Sequence, residues 1–193
     1  IIPGLVDTGL LLEKSNYQVK EGDIKIAIDV VKHLIEVTRN KTFLPLFLFS
    51  LLASASDKLG LNAYRFALFC QGQTGNFKTT LSRYALAVYG EEMFTDFIRF
   101  NEGATINGLI TKCSTAGDLP ILIDNFKPNL KGGESGLVHV ISTLVEGRDK
   151  IRCNTKGEIK NPMTLKSWPI ITGETGIESD TSSIARCLEL EFE

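Results

Sequence analysis

An apolar run from Phe66 to Cys70 passes directly into Gly72-Gln73-Thr74-Gly75-Asn76-Phe77-Lys78-Thr79-Thr80, after which a helical pattern begins. A strand that breaks at glycine and restarts as a helix leaves successive backbone N–H groups pointing into one concave turn. The positive end of the helix dipole faces the same turn, so the segment is a cradle for phosphate groups. Residues Gly72, Gln73, Thr74, Gly75, Asn76, Phe77, Lys78, Thr79 and Thr80 are therefore assigned to nucleotide binding. Lys78 would reach the β- and γ-phosphates of ATP, and the Thr79 hydroxyl would bind Mg²⁺. One position departs from the motif, which has glycine before the lysine where this chain has Phe77.

A second apolar run, Leu119 to Ile123, ends in Asp124-Asn125. At the carboxyl edge of a parallel sheet such an acid lies beside the phosphate loop. Asp124 would then hold Mg²⁺ through its water shell; the alternative is an acid that caps a turn. Many ATPases place Glu next, to polarise the attacking water. Asn125 cannot accept a proton, so it positions water at most. Either the base lies elsewhere, with Glu174 a candidate, or hydrolysis is slow.

The rest of the chain sets the fold class. From Asp23, a plausible N-cap, Ile24, Ile28, Val31 and Ile35 recur on one helical face. A nearly all-apolar helix follows over Leu44–Ser56, with Pro45 in its first turn. Residues 1–22 form a linker or arm, residues 23–62 a helical preamble, and residues 63–193 the ATPase core. In that core five apolar runs (Phe66–Cys70, Phe94–Phe100, Leu119–Ile123, Trp168–Thr172, Cys187–Phe192) alternate with helices near Thr79–Tyr89, Thr105–Ser114 and Gly136–Glu146. This is an α/β pattern: a P-loop core with a mostly parallel five-stranded sheet.

Composition narrows the function classes. The 193 residues carry a formal charge of −2, so no overall basic field points to nucleic acid and any contact with it needs a local patch. The four cysteines are dispersed and the histidines are only His33 and His139, which disfavours zinc and suits a reduced cytoplasm. The most apolar run, Phe43 to Ala53, is too short to span a membrane. Because the chain opens on Ile1-Ile2, it is read as part of a longer protein.

A local basic patch does exist. Ile151 to Lys160 reads as two extended arms around a turn with Gly157 at the tip, and Arg152, Lys156 and Lys160 lie on it. Such a hairpin either grips a DNA backbone or is simply solvated. The next run, Trp168 to Glu174, places Thr172 between the phosphate loop and Asp124, where it can sense the γ-phosphate. Arg186 opens the last strand. It either stabilises transition-state charge, in its own or a neighbouring subunit, or pairs with a surface acid.

Taken in order, Gln71–Thr80, Ile123-Asp124-Asn125, Glu146-Gly147-Arg148-Asp149-Lys150-Ile151-Arg152, Trp168–Glu174 and Arg186 resemble the ATPase core of primase-associated helicases of phages, plasmids and integrated elements. Those proteins are similar to superfamily 3 helicases (AAA+/RecA-like), whose hexameric rings hydrolyse ATP between subunits. The resemblance implies catalytic roles for Lys78, Asp124, Asn125, Thr172, Glu174 and Arg186, with Arg186 acting in trans. It also implies a hairpin contacting single-stranded DNA, self-association into a ring, and a primase or polymerase part elsewhere in the full protein. The location implied is the cytoplasm of a bacterial, archaeal or phage-infected cell. Two other readings stay open: a nucleotide-binding regulatory or assembly module that unwinds nothing, and a small-substrate P-loop kinase.

Overall fold

The computed structural model describes residues 22–39, 41–90, 97–100, 105–128, 133–148, 152–153, 159–160, 164–177 and 181–193. Its centre is a sheet of β1 (Ala67–Gly72), β2 (Ile98–Arg99), β3 (Ile121–Phe126), β6 (Pro169–Gly173) and β7 (Cys187–Phe192), in the order β2-β3-β6-β1-β7. Every pairing in it is parallel. Parallel strands need crossovers, and the helices that supply them cover both faces. This is the α/β core expected, with the sheet parallel throughout.

Alternate residues of each strand feed two cores. Ala67, Phe69, Ile121, Ile123 and Ile171 face α4 (Ile106–Thr115), α5 (Gly133–Glu146) and the short α6 (Thr181–Ile184). Leu68, Cys70, Leu122, Ile170 and Phe192 face α1 (Ile24–Val37), α2 (Phe43–Ala55) and α3 (Lys78–Leu86). The helical preamble therefore builds one layer of the domain. Phe49 of α2, Phe66 and Trp168 meet edge to face, with ring centroids 5.1–5.7 Å apart. Tyr89 bonds Ser54 at 2.8 Å and the Ser50 carbonyl at 2.7 Å, which ties α2 to the end of α3.

Several boundaries differ from the sequence expectation for identifiable reasons. Asp23 does cap α1, accepting from the Lys25 N–H at 2.8 Å. The packed face of α1, however, is Val31, Leu34 and Ile35, whereas Ile24 and Ile28 are 64% and 46% exposed. Only the C-terminal half of the helix reaches α2, so helical period alone overstated the buried stripe. Strand β3 extends past Asp124 to Phe126 because a bulge absorbs Asp124-Asn125, with Asn125 at φ 65°. Asparagine tolerates this left-handed conformation better than most residues. Of the expected Phe94–Phe100 run, residues 94–96 lie outside the described set and Ile98–Arg99 pair.

At the start of β3, Asp118 is half-buried and its Oδ1 has no hydrogen-bond partner among the described residues. Burial raises its pKa above the usual carboxylate value. An acid whose folded pKa is raised stabilises the fold below its unfolded pKa and loses that contribution as pH rises through the folded one. Asp118→Asn should therefore stabilise the protein by about 1 kcal/mol at neutral pH, with the gain vanishing near pH 3. Urea unfolding at the two pH values checks this.

Candidate nucleotide site

Everything proposed for phosphate binding gathers at the carboxyl edge of the sheet. A cleft of about 340 Å³ is lined by Thr74, Gly75, Phe77, Lys78, Thr79, Thr80, Asp124, Asn125, Thr172, Gly173 and Glu174. Its floor is set by strand order, since β6 lies between β1 and β3. Thr172 thereby stands between the phosphate loop and the acid, where the sequence placed it.

The loop is held from several sides. Gly72 is needed at its start, because a Cβ there would lie 2.4 Å from the Phe192 carbonyl oxygen of β7. Asn76 Nδ2 donates to that same oxygen at 2.8 Å and pins the loop to β7. Gly75 sits at φ 97°, which a side chain would resist. Lys78 is 9% exposed, and its Nζ donates to the Gly72 and Gln73 carbonyls at 2.6 and 2.7 Å. The ammonium is thus already placed inside the turn. Burial pushes the Cys70 thiol, on the strand feeding the loop, up to about 12, so it stays a neutral core group.

Phe77 adopts φ 57°, ψ 16°, the left-handed conformation that glycine usually supplies at the turn into the helix. The loop keeps its shape with a phenylalanine in it, at a cost of about 1 kcal/mol of backbone strain. The residue lines the cleft and is 70% exposed.

Asp124 is the electrostatic centre. Its Oδ1 accepts from Thr79 Oγ1 at 2.5 Å and from Thr172 Oγ1 at 2.6 Å. Thr172 Oγ1 in turn accepts from the Asn125 N–H at 3.1 Å. The bulge therefore has a function within the fold: it turns the Asn125 amide onto the threonine hydroxyl and so orients that hydroxyl toward the acid. A carboxylate and a hydroxyl converging beside a buried lysine are a hard-oxygen donor set, which suits Mg²⁺ retaining several of its waters. Across the mouth, the Thr74 hydroxyl donates to Glu174 and closes the rim.

The remaining candidates are not in the cleft. Arg186 precedes β7 at the opposite edge of the sheet, where its carbonyl accepts from the Ala67 N–H at 2.9 Å. The six residues of β7 separate it from the loop by roughly 20 Å at about 3.3 Å per residue. Arg186 bonds Glu146 at 3.2 Å and Ser182 at 2.7 Å. A role in its own cleft is excluded by that distance. Arg152 and Lys160 pair across antiparallel β4 (Arg152–Cys153) and β5 (Ile159–Lys160), while Lys156 lies outside the described residues. The bridge Arg148–Thr164 continues this hairpin toward the amino edge of the sheet, the edge that carries Arg186. Sequence reasoning left out Gly173 as a wall of the cleft; a glycine next to a strand end carries no signal by itself.

Fold and cleft together define a P-loop NTPase-like core. The chain belongs to the family described as "Domain of unknown function (DUF927)", whose model matches residues 13–164. Its fold is also that of a solved helicase structure, described as "SCCmec type IV Cch - active helicase", with a TM-score of 0.62 at 20% identity. That match covers 92% of this chain and 33% of the helicase chain, so the present chain spans about a third of the helicase's length. A search of curated proteins gives no match. Among the described residues, no helix is long and apolar enough to cross a membrane.

Proposed function

We propose that this chain is the ATP-binding and ATP-hydrolysing core of a ring-forming DNA helicase or translocase of the superfamily 3 kind, serving replication of a phage or mobile element. The observation that carries the reading is the convergence of the Thr79 and Thr172 hydroxyls on Asp124 Oδ1 beside the buried Lys78. In this reading the loop amides and Lys78 hold the β- and γ-phosphates. Thr79 and Asp124 hold Mg²⁺, which when bound supplies charge stabilisation to the transferring phosphoryl group. Thr172 carries the state of the γ-phosphate site to Asp124 and to the Asn125 amide. Glu174, at the rim, takes the proton from water or orients the water for attack.

The placement of Arg186 supports the ring reading. A cleft whose described lining carries Lys78 as its cation, and an arginine on the far edge of the same sheet, fit an arrangement in which Arg186 serves the cleft of the next subunit. The hairpin at that same edge then contacts single-stranded DNA through Arg152, Lys156 and Lys160. The likeness to a helicase core agrees with this reading.

The test is ATP hydrolysis with and without single-stranded DNA, on wild type, Arg186→Ala and mixtures of Arg186→Ala with Lys78→Ala. DNA should stimulate the wild type; Arg186→Ala alone should lose at least about tenfold in turnover and Lys78→Ala alone at least about a hundredfold. Mixed subunits should regain activity, because some interfaces then pair an intact cleft with an intact arginine. Loss without recovery on mixing would place Arg186 outside the trans site. A second reading, a nucleotide-dependent assembly switch, is favoured by Asn125, which cannot take a proton; tight ATP binding without turnover in oligomers would select it.

A further inference from the structure

The phosphate chemistry of the cleft leaves one feature unused, the aromatic ring at its rim. Phe77 combines two unfavourable properties, a left-handed backbone at φ 57° and a large apolar side chain on a residue 70% exposed to water. It nonetheless lines the cleft together with Thr80. Phe77 is the N-cap of α3, which begins at Lys78, so its ring stands where the loop enters the helix rather than on a helical face. Thr79, by contrast, is turned toward Asp124, and Lys78 is buried beneath the loop. A triphosphate whose γ end lies at Lys78, Thr79 and Asp124 has its nucleoside end within the same cleft, one wall of which is Phe77 and Thr80. Phosphate has no affinity for such a surface, whereas a flat heterocycle does.

We propose that Phe77 is a base-stacking residue: its ring, on the wall of the cleft beside Thr80, receives the nucleobase of the bound nucleoside triphosphate. The proposal rests on the phosphate-loop reading above and adds the substrate class. Stacking engages the π-face that every base has. The site therefore accepts nucleoside triphosphates with little regard to the base.

The experiment is calorimetric titration of ATP, GTP, CTP and inorganic tripolyphosphate into wild type, Phe77→Ala and Phe77→Tyr, with thermal unfolding of each protein alongside. Alanine keeps a Cβ at the same positive φ, so the variant removes the ring without relieving or adding backbone strain. Wild type should bind the three nucleotides within about fivefold of one another. Phe77→Ala should weaken all three by about tenfold and leave tripolyphosphate unchanged, and Phe77→Tyr should restore them. Equal weakening of ATP and tripolyphosphate would overturn the proposal, since the ring would then only shape the loop. Unchanged ATP binding would overturn it as well, including the case where self-association alone is lost and the ring contacts a second copy. A wild type that binds neither tripolyphosphate nor ATP would overturn the phosphate-loop reading itself, and the base proposal with it.

Discussion

Lys78→Ala should abolish measurable ATP turnover, with a loss of about a hundredfold or more in kcat/KM. The lysine is the cation buried in the phosphate loop, and it is oriented before any ligand arrives by two carbonyls of that loop, Gly72 and Gln73. A triphosphate entering the turn exchanges those neutral acceptors for charged oxygens, and hydrogen bonds to charged groups contribute about 1.5–3 kcal/mol each. Alanine removes the charge where it accumulates in the transition state. The variant should keep its fold, because Gly72 is only partly buried and Gln73 is exposed, so the two carbonyls it frees can take water. Circular dichroism and steady-state hydrolysis, measured on the same preparation, check both halves of the expectation. A variant that hydrolyses ATP at a tenth of the wild-type rate would mean that the phosphate charge is held elsewhere.

The largest effect on stability should come from Trp168→Ala. The indole is 1% exposed and sits where the preamble meets the sheet, edge to face with Phe49 and Phe66. Large aromatic truncations in a core cost about 3–5 kcal/mol through lost burial and the cavity left behind. The figure here should fall near the lower end, about 3 kcal/mol, because the indole N–H finds no acceptor among the described residues and its removal relieves that penalty. The damage should also reach the cleft. Trp168 immediately precedes β6, the strand that carries Thr172, so nucleotide affinity should fall along with the unfolding midpoint. Urea unfolding monitored by circular dichroism gives the first quantity and ATP titration the second. A midpoint shift without any change in affinity would show that β6 holds its place without the preamble.

How much of this was legible beforehand depends on the kind of signal each residue carries. Strand β7 matched its apolar run from Cys187 to Phe192, since a short run ending at the sheet edge has clear limits. The position of Thr172 between the loop and the acid followed from the order of motifs alone, because parallel strands joined by helices admit few arrangements. The bulge at Asn125 was not legible. Sequence reasoning compared that residue with a missing glutamate, whereas its backbone conformation and its amide bond to Thr172 give asparagine a structural reason to be there. The distance of Arg186 from its own cleft was likewise hidden, because position along the chain does not say which edge of a sheet a strand starts from. Phe77 was visible as a departure from the motif, but only the structure shows that the loop takes the left-handed turn without glycine and leaves Phe77 exposed at the cleft.

The most direct test of the nucleotide cleft is an equilibrium titration of the wild-type chain with ATP and with AMP, each in the presence of Mg²⁺. If the loop, Lys78 and the Asp124 cluster form a triphosphate site, ATP should bind at least about a hundredfold more tightly than AMP, since the β- and γ-phosphates carry the charge-assisted contacts. Equal affinity for the two, or no binding of ATP at concentrations where the chain is folded, would contradict the assignment.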